Sequence, residues 1–416
     1  MRAHTQPAMA VAGWLLLVTA AGGAYGQQGG ADTKGGTNST SGARETAGLT
    51  VTPYVSLATL YDDNIFASAS QRESDTILRL TPGIMLDYRT PRTRINFSYS
   101  DDAERYARHS DLNSWQSRQT AGLSASHAFN RRISAGLDAN YFETQYPGEL
   151  APVSGIELTR RRATAISFRP TATYHFNERT DATVYYERLR THDAGGQTNF
   201  TTTASAALAR DLTRRDRLVL TYRYDWFDFS NGNSPVSRVV TLGWHHDLSR
   251  STSFFLAAGP RDTNSRTVAD VSAGIRSDAE KTTAELYVTR SQVALPGLTG
   301  VYDTRAVQGY LAYRFSPRLS VEVTPGYYRD TGAGQEAEVY RLGVGMRYWF
   351  SPAWSIGLNY DYGRQRGTLG SVGNGDVIRR NVAALTISWA LPQASGPAAV
   401  PSQRRYRPPP QVFKGD

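Results

Sequence analysis

Asp62, Asp63 and Asn64 stand side by side in "YDDNIFAS" (residues 61–68), three oxygen-bearing side chains in a row. Such a triplet has three readings. It could ligate a hard cation, supply the paired carboxylates of acid–base catalysis, or form the polar rim where a strand leaves its solvent. EF-hand spacing, with alternating acids, a central Gly and a terminal Glu, is missing, which weakens the calcium reading. The one tight histidine pair, His245-His246, cannot chelate a single ion if it lies on a strand, because adjacent side chains face opposite sides. One of the two is then expected at the periplasmic rim. The chain has no Gly-x-Ser-x-Gly elbow, Walker loop, His-x-x-x-His or cysteine-based metal spacing. No catalysis and no cofactor are expected.

What precedes the triplet decides between the readings. "LTVTPYVSLATL" alternates apolar and polar side chains, so one face of a strand is apolar and the other polar. The same alternation returns at 78–88, 166–176, 218–226 and 319–327. Soluble sandwiches alternate too, but these segments run about 10 to 14 residues, beyond the usual globular strand of about 5 or 6 and suited to a tilted membrane strand. Tyr88, Phe176, Phe315, Tyr348, Phe350, Trp354 and Trp389 fall at segment ends on the apolar face, as interfacial girdles do.

A turn motif also repeats. "HAFNRRIS", "YHFNERTD", "RDLTRRDR", "HDLSRSTS", "YRFSPRLS" and "YWFSPAWS" each place an aromatic or Leu before Asn, Ser or Thr, a polar or Pro step, and a new strand. Less obvious turns lie at "RSDAEK" (276–281) and "RTPRTR" (89–94). The segments between them are longer and loop-like: "TQYPGELAPVSGIEL", "FSNGNSPVS", "RSQVALPGLTGVYD" and "RQRGTLGSVGNGD". Short turns on one side and long loops on the other mark outer-membrane barrels. From Leu49 to Leu391, at about 36 residues per hairpin, the chain holds about 18 strands, within a range of about 16 to 20. The expected fold is an all-β, antiparallel, up-and-down transmembrane barrel over 49–391. Alternation is weakest over 251–305.

The ends fit that plan. Arg2, an apolar run from Ala8 to Ala21, and the small residues Ala24 and Gly26 read as a signal peptide cut after Gly26. Residues 27–48 are Gly/Ser/Thr-rich and read as a flexible lead-in, and 392–416 as a Pro/Arg-rich disordered tail in the periplasm that could dock on cell wall or a partner. A lipoprotein is excluded because the chain has no cysteine. The 40% hydrophobic content rules out wholesale disorder, while a mean hydropathy of −0.45 is compatible with a barrel whose inner face is wet. The +9 charge is scattered among acids and forms no stripe, so nucleic acid is not an expected partner. Expected partners are outer-membrane lipid and the machinery that assembles barrels, in the outer membrane of a Gram-negative cell.

Alternation assigns Arg79, Arg169, Arg223, Arg314, Arg341, Arg347, Arg380, Asp87, Asp138, Asp225, Glu285, Glu322 and Asp361 to the lumen, with Tyr185, Tyr287, Tyr310, Tyr328 and Trp349. A filter selective for small ions would line its constriction with one sign. Mixed charge beside aromatic faces suits a sugar chain, and equally suits side chains pairing across a hydrated wall.

"YDDNIFAS…SDTILRLTPGIMLDYRTPRTRINFSYS" resembles the outer-membrane β-barrel porins associated with exopolysaccharide biosynthesis and exosortase systems. Tyr61, Asp62, Asp63, Asn64, Ile65, Phe66, Ser74, Asp75, Pro82 and Gly83 carry the resemblance. It places the triplet at the first external loop, where the carboxylates are expected in the headgroup zone or in water. The resemblance implies a passive conduit for exopolysaccharide, with a periplasmic polysaccharide-export protein and an inner-membrane co-polymerase as partners. A general diffusion porin, or a plugged barrel acting as a scaffold, are the alternatives.

Overall fold

The computed structural model describes residues 48–369 and 377–391; the expected signal peptide, the lead-in up to residue 47 and the tail lie outside them. Eighteen strands follow in order: β1 (Gly48–Asp62), β2 (Asp75–Arg89), β3 (Thr93–Tyr106), β4 (Ser114–Ala128), β5 (Ile133–Thr144), β6 (Ala163–Asn177), β7 (Thr180–Asp193), β8 (Thr198–Asp211), β9 (Asp216–Phe229), β10 (Val236–Asp247), β11 (Thr252–Thr263), β12 (Arg266–Asp278), β13 (Thr282–Ala294), β14 (Val301–Ser316), β15 (Leu319–Gly332), β16 (Gln335–Trp349), β17 (Trp354–Gly367) and β18 (Val377–Ala390). Each pairs antiparallel with its sequence neighbours. β1 also pairs with β18, from Tyr54↔Ala390 to Asp62↔Val382, and closes the sheet. Closure is what a hydrocarbon solvent demands, since each unpaired backbone group there costs several kcal/mol.

The faces separate as alternation requires. On β17, Trp354, Leu358 and Tyr360 are exposed while Ser355 and Gln365 are buried. Leu57, Leu80, Phe168, Leu220, Leu242, Leu286 and Leu385 continue an apolar belt around the outside. So large a continuous apolar surface does not face water in a soluble monomer. Phe129, Phe176, Trp244, Phe315, Phe350 and Trp354 are exposed beside the short turns, and Tyr61, Trp115 and Trp226 near the other rim.

All eight repeated turns are short connections on one rim. The physical reason for Asn, Ser or Thr in them is local, since the side-chain oxygen accepts from backbone N–H groups two and three residues on. Asn130 accepts from Arg132 and Ile133, Thr213 from Arg215 and Asp216, Ser316 from Arg318 and Leu319, and Ser351 from Ala353 and Trp354. The opposite rim carries the long connections, 63–74, 107–113 and 145–162 among them. Two connections there, 264–265 and 333–334, are instead tight. Positive φ at Asn264 (48°), Ser265 (65°), Ala333 (51°) and Gly334 (75°) gives the turn hand that matches strand twist. The weakly alternating stretch 251–305 forms β11, β12, β13 and the start of β14. Small residues on both faces (Ala257, Ala258, Gly259, Ala273, Gly274) dilute the pattern, and Gly274 leaves room for the Phe255 ring opposite it.

Candidate functional site: a roofed polar bore

The opening triplet sits in the wall, not in water. Asp62 is 1% exposed and held by Arg380, whose Nη2 and Nε lie 2.5 and 3.0 Å from Asp62 Oδ2. Two strands adjacent only through barrel closure therefore share a buried ion pair. Asp63 accepts from the Asn381 backbone and side chain and pairs with Arg72. Asn64, fully buried, donates to the Ser68 and Arg379 carbonyls and accepts from the Ser68 N–H. Ile65 is buried in an apolar cluster with Leu60, Ile77 and Tyr106, against which Phe66 packs, while Tyr61 points outward. The expectation of a solvated rim is thus corrected. The triplet locks the first external loop onto the closing seam, because unpaired carboxylates next to a packed cluster would be costly. Gly83 makes room for a neighbour, because a Cβ there would fall 2.2 Å from the Tyr54 ring that lies over it.

Loop 145–162 folds inward and roofs the bore. Arg341 on β16 is its strut: Nε donates to Gly155 O (2.7 Å), Nη2 to Ile156 O (3.2 Å) and Nη1 to Glu157 Oε1 (2.5 Å). The Glu157 N–H donates to Gln365 of β17, and the Glu157 carboxylate lies 3.7 Å from Arg380. Arg160 donates to the Tyr106 and Tyr146 hydroxyls, and Arg380 lies 4.0 Å over the Tyr146 ring. That burial pushes the Tyr146 phenol up from its ordinary pKa, against the lowering effect of the two cations. Ala151, Ile156 and Leu158 join Leu295, Tyr302, Ala306, Tyr328, Val339 and Leu369 in a buried apolar cluster inside the mouth. Gly155 is left-handed (φ 60°) and pressed against the Tyr328 ring, where a side chain has no space.

Beneath the roof lies a cavity of about 310 Å3, at the low end of the ~300–1,000 Å3 of small-molecule sites. Eight of the eighteen residues that alternation assigns to the lumen line it: Arg79, Arg341, Arg347, Arg380, Glu322, Asp361, Tyr310 and Tyr328. Of these, Tyr328 is drawn into the apolar cluster. Arg79 is paired with Glu104 and Asp102, and Arg347 lies 5.8 Å over the Trp349 ring. Arg169 and Arg223 are elsewhere on the inner wall, with Asp138 and the Tyr185 ring for the first, and Asp225 and Asp270 for the second. Arg314 is exposed near the short-turn rim. The lumen thus has two kinds of wall. β14 to β18 present small groups to the cavity (Gly309, Gly343, Gly345, Gly357, Ser355, Ala384, Thr386, Ser388). Ion pairs cover the opposite side: Arg169 with Asp138, and a separate run from Asp225 through Arg223 and Asp270 to Arg261.

Sequence reasoning missed Glu104, Tyr146, Glu157, Arg160 and Arg261. The available signal was the apolar content of "ELAPVSGIEL" and "VALPGL", too high for loops immersed in water. Among the described residues no three His, Cys, Asp or Glu side chains converge on a metal position. His245 pairs with Asp247 and His246 with Asp216, beside the short turn 248–251.

A closed antiparallel ring of eighteen strands with an apolar belt outside and a polar interior defines an integral outer-membrane β-barrel. No protein-family model and no curated protein matches the sequence. Among solved structures it resembles OpdL of Pseudomonas aeruginosa (14% identity, TM-score 0.45, 82% of this chain and 98% of that one). OpdO of the same organism gives 11%, 0.44, 82% and 97%, and OccAB4 of Acinetobacter baumannii 9%, 0.43, 82% and 98%. Neither the identities nor the scores transfer a cargo to this chain.

Proposed function

We propose that the barrel is the outer-membrane conduit for an exported polysaccharide. The observation that carries this reading is a roof over a bore of sugar-compatible chemistry. Tyr310 offers an aromatic face, Arg347, Glu322 and Asp361 offer charged hydrogen-bonding groups, and the Gly, Ser and Thr residues between them on the same wall leave a smooth track. Sugar rings stack their C–H faces on aromatics, and their hydroxyls bond both carboxylates and guanidinium groups. A mouth that stays roofed at rest suits a polymer exporter better than a permanently open diffusion pore. The strand 1 motif, by its resemblance, supports the same reading and a periplasmic polysaccharide-export protein as partner. No bond is made or broken.

Deletion of the chain is expected to abolish surface polysaccharide while small-solute uptake is unchanged; normal surface polymer in the deletion strain refutes the proposal. The roof also favours a second reading, a plugged scaffold that anchors an assembly. A scaffold gives no conductance in planar bilayers under any condition, and its deletion releases a partner from the outer membrane.

A further inference from the structure

We infer that the outer end of the β13–β14 hairpin is a movable gate: it now sits inside the bore, and it opens by swinging back into the wall beside β12. The channel reading supplies the consequence of this motion, whereas the geometry stands by itself.

The ladder between β12 and β13 runs from Asp278↔Thr283 to Val271↔Arg290 and stops there. Yet β12 continues to Arg266 along β11, and β13 continues to Ala294 along β14. The seam is open over its outer half. Alternation then reveals where the free end has gone. Leu286 and Val288 face lipid on β13, as Val307 does on β14, so Gln292 and Asp303 belong to the same outward face. Arg261 and Thr263 share the bore face of β11 with buried Ala257. Nevertheless Thr263 Oγ1 donates to Gln292 (3.0 Å), and Arg261 Nη2 donates to Asp303 (2.7 Å). An outward face touching a neighbour's inward face means that the β13–β14 end lies behind the β11–β12 hairpin, within the bore.

Three contacts seat it there. Arg261, 1% exposed, joins Asp303 to Asp270 of β12. Across the mouth, Asn199 of β8 donates its amide to the carbonyls of Leu295 (3.2 Å) and Leu298 (3.1 Å). Leu295 completes the apolar cluster under the roof. A rival seat is already built. Continuing the existing register brings Asp270, Ala269, Val268 and Thr267 opposite Ser291, Gln292, Val293 and Ala294, and these rungs would satisfy backbone groups that the seam leaves without a strand partner. Two discrete contact sets for one segment make a bistable element, and a polymer in the bore would favour the outward seat.

The chain has no cysteine, so each seat can be stapled without background. Asn199→Cys with Leu298→Cys joins the loop to β8 in the inward seat. Ala269→Cys with Gln292→Cys reports the outward seat, because Ala269 now faces lipid while Gln292 lies on the bore side of β11. In register the two come within the ~4.4–6.8 Å Cα separation that a disulfide needs. In membranes under mild oxidant, the first pair is expected to abolish conductance until reductant restores it. The second is expected to cross-link on gels and hold conductance high. Unchanged conductance in the oxidised Asn199/Leu298 pair, or no cross-link in the Ala269/Gln292 pair, overturns the gate. Cross-linking with no conductance in any state overturns the channel reading and leaves the hairpin motion standing.

Discussion

Replacing Arg341 by Met removes the strut of the roof while keeping most of its volume. The guanidinium makes three contacts to loop 145–162, two to carbonyls and one to Glu157, and both side chains are largely buried (13% and 5% exposed). Hydrogen bonds to charged groups contribute about 1.5–3 kcal/mol each, and breaking one side of a buried pair costs about 3–5 kcal/mol. Glu157 retains Arg380 at 3.7 Å, so the lower end applies, about 3 kcal/mol. At about 1.4 kcal/mol per factor of ten, the ratio of lifted to seated loop rises about a hundredfold. Amide exchange over 148–158 is expected to accelerate by that order, and Arg341→Met barrels in planar bilayers to open more often than the wild type. Glu157→Gln keeps both carbonyl bonds and is expected to act in the same direction, more weakly. Wild-type exchange and conductance in Arg341→Met would refute the strut, because the three contacts would then contribute nothing to seating the loop.

Asp62→Asn leaves Arg380 (8% exposed side chain) with only Glu157, at 3.7 Å, as a charged partner at the closing seam and is expected to cost about 3 kcal/mol, read as a lower urea midpoint for unfolding from liposomes. Leu358→Arg puts a charge on the lipid belt and is expected to cost about 2–4 kcal/mol in the same assay, whereas Asn359→Lys on the lumen face costs much less. His109, in loop 107–113, bonds Asp75 through Nδ1 and Glu73 through Nε2, both 2.8 Å; these bonds, that to Asp75 foremost, hold its pKa above the ordinary value. Asp75 and Glu73 face the ring, Arg108 is its neighbour in chain, and the Phe66 edge packs on it. The raised pKa means that the stabilisation is complete below about 6.5 and is lost as pH rises through the folded value. Proteolysis of loop 107–113 is therefore expected to quicken from pH 6 to pH 9, and His109→Gln to remove that dependence; a pH-independent wild type contradicts it.

The strands and their turns were legible because their causes are local. Alternation at period two assigns each side chain to lipid or bore, and an Asn, Ser or Thr that bonds its own turn marks each short connection. Asn130, Thr213, Ser249, Ser316 and Ser351 are readable one turn at a time. The roof was not legible in this way. Glu157 meets Arg341, and Leu158 meets Leu295, only after the ring has closed and brought distant strands to one mouth. Asp62 was misplaced for the same reason, since its partner Arg380 arrives from the last strand.

Sequence by itself thus determined the solvent on each face, the number of hairpins and the rim on which the chain turns tightly, because each follows from a residue and its near neighbours. Tertiary structure alone decided that the loops enter the bore, that the triplet serves closure, and that the β12–β13 seam stands open. These depend on contacts between segments far apart in the chain, whose choice rests on three-dimensional fit: buried charges must find partners, and apolar loop residues must leave water wherever the ring offers them a wall.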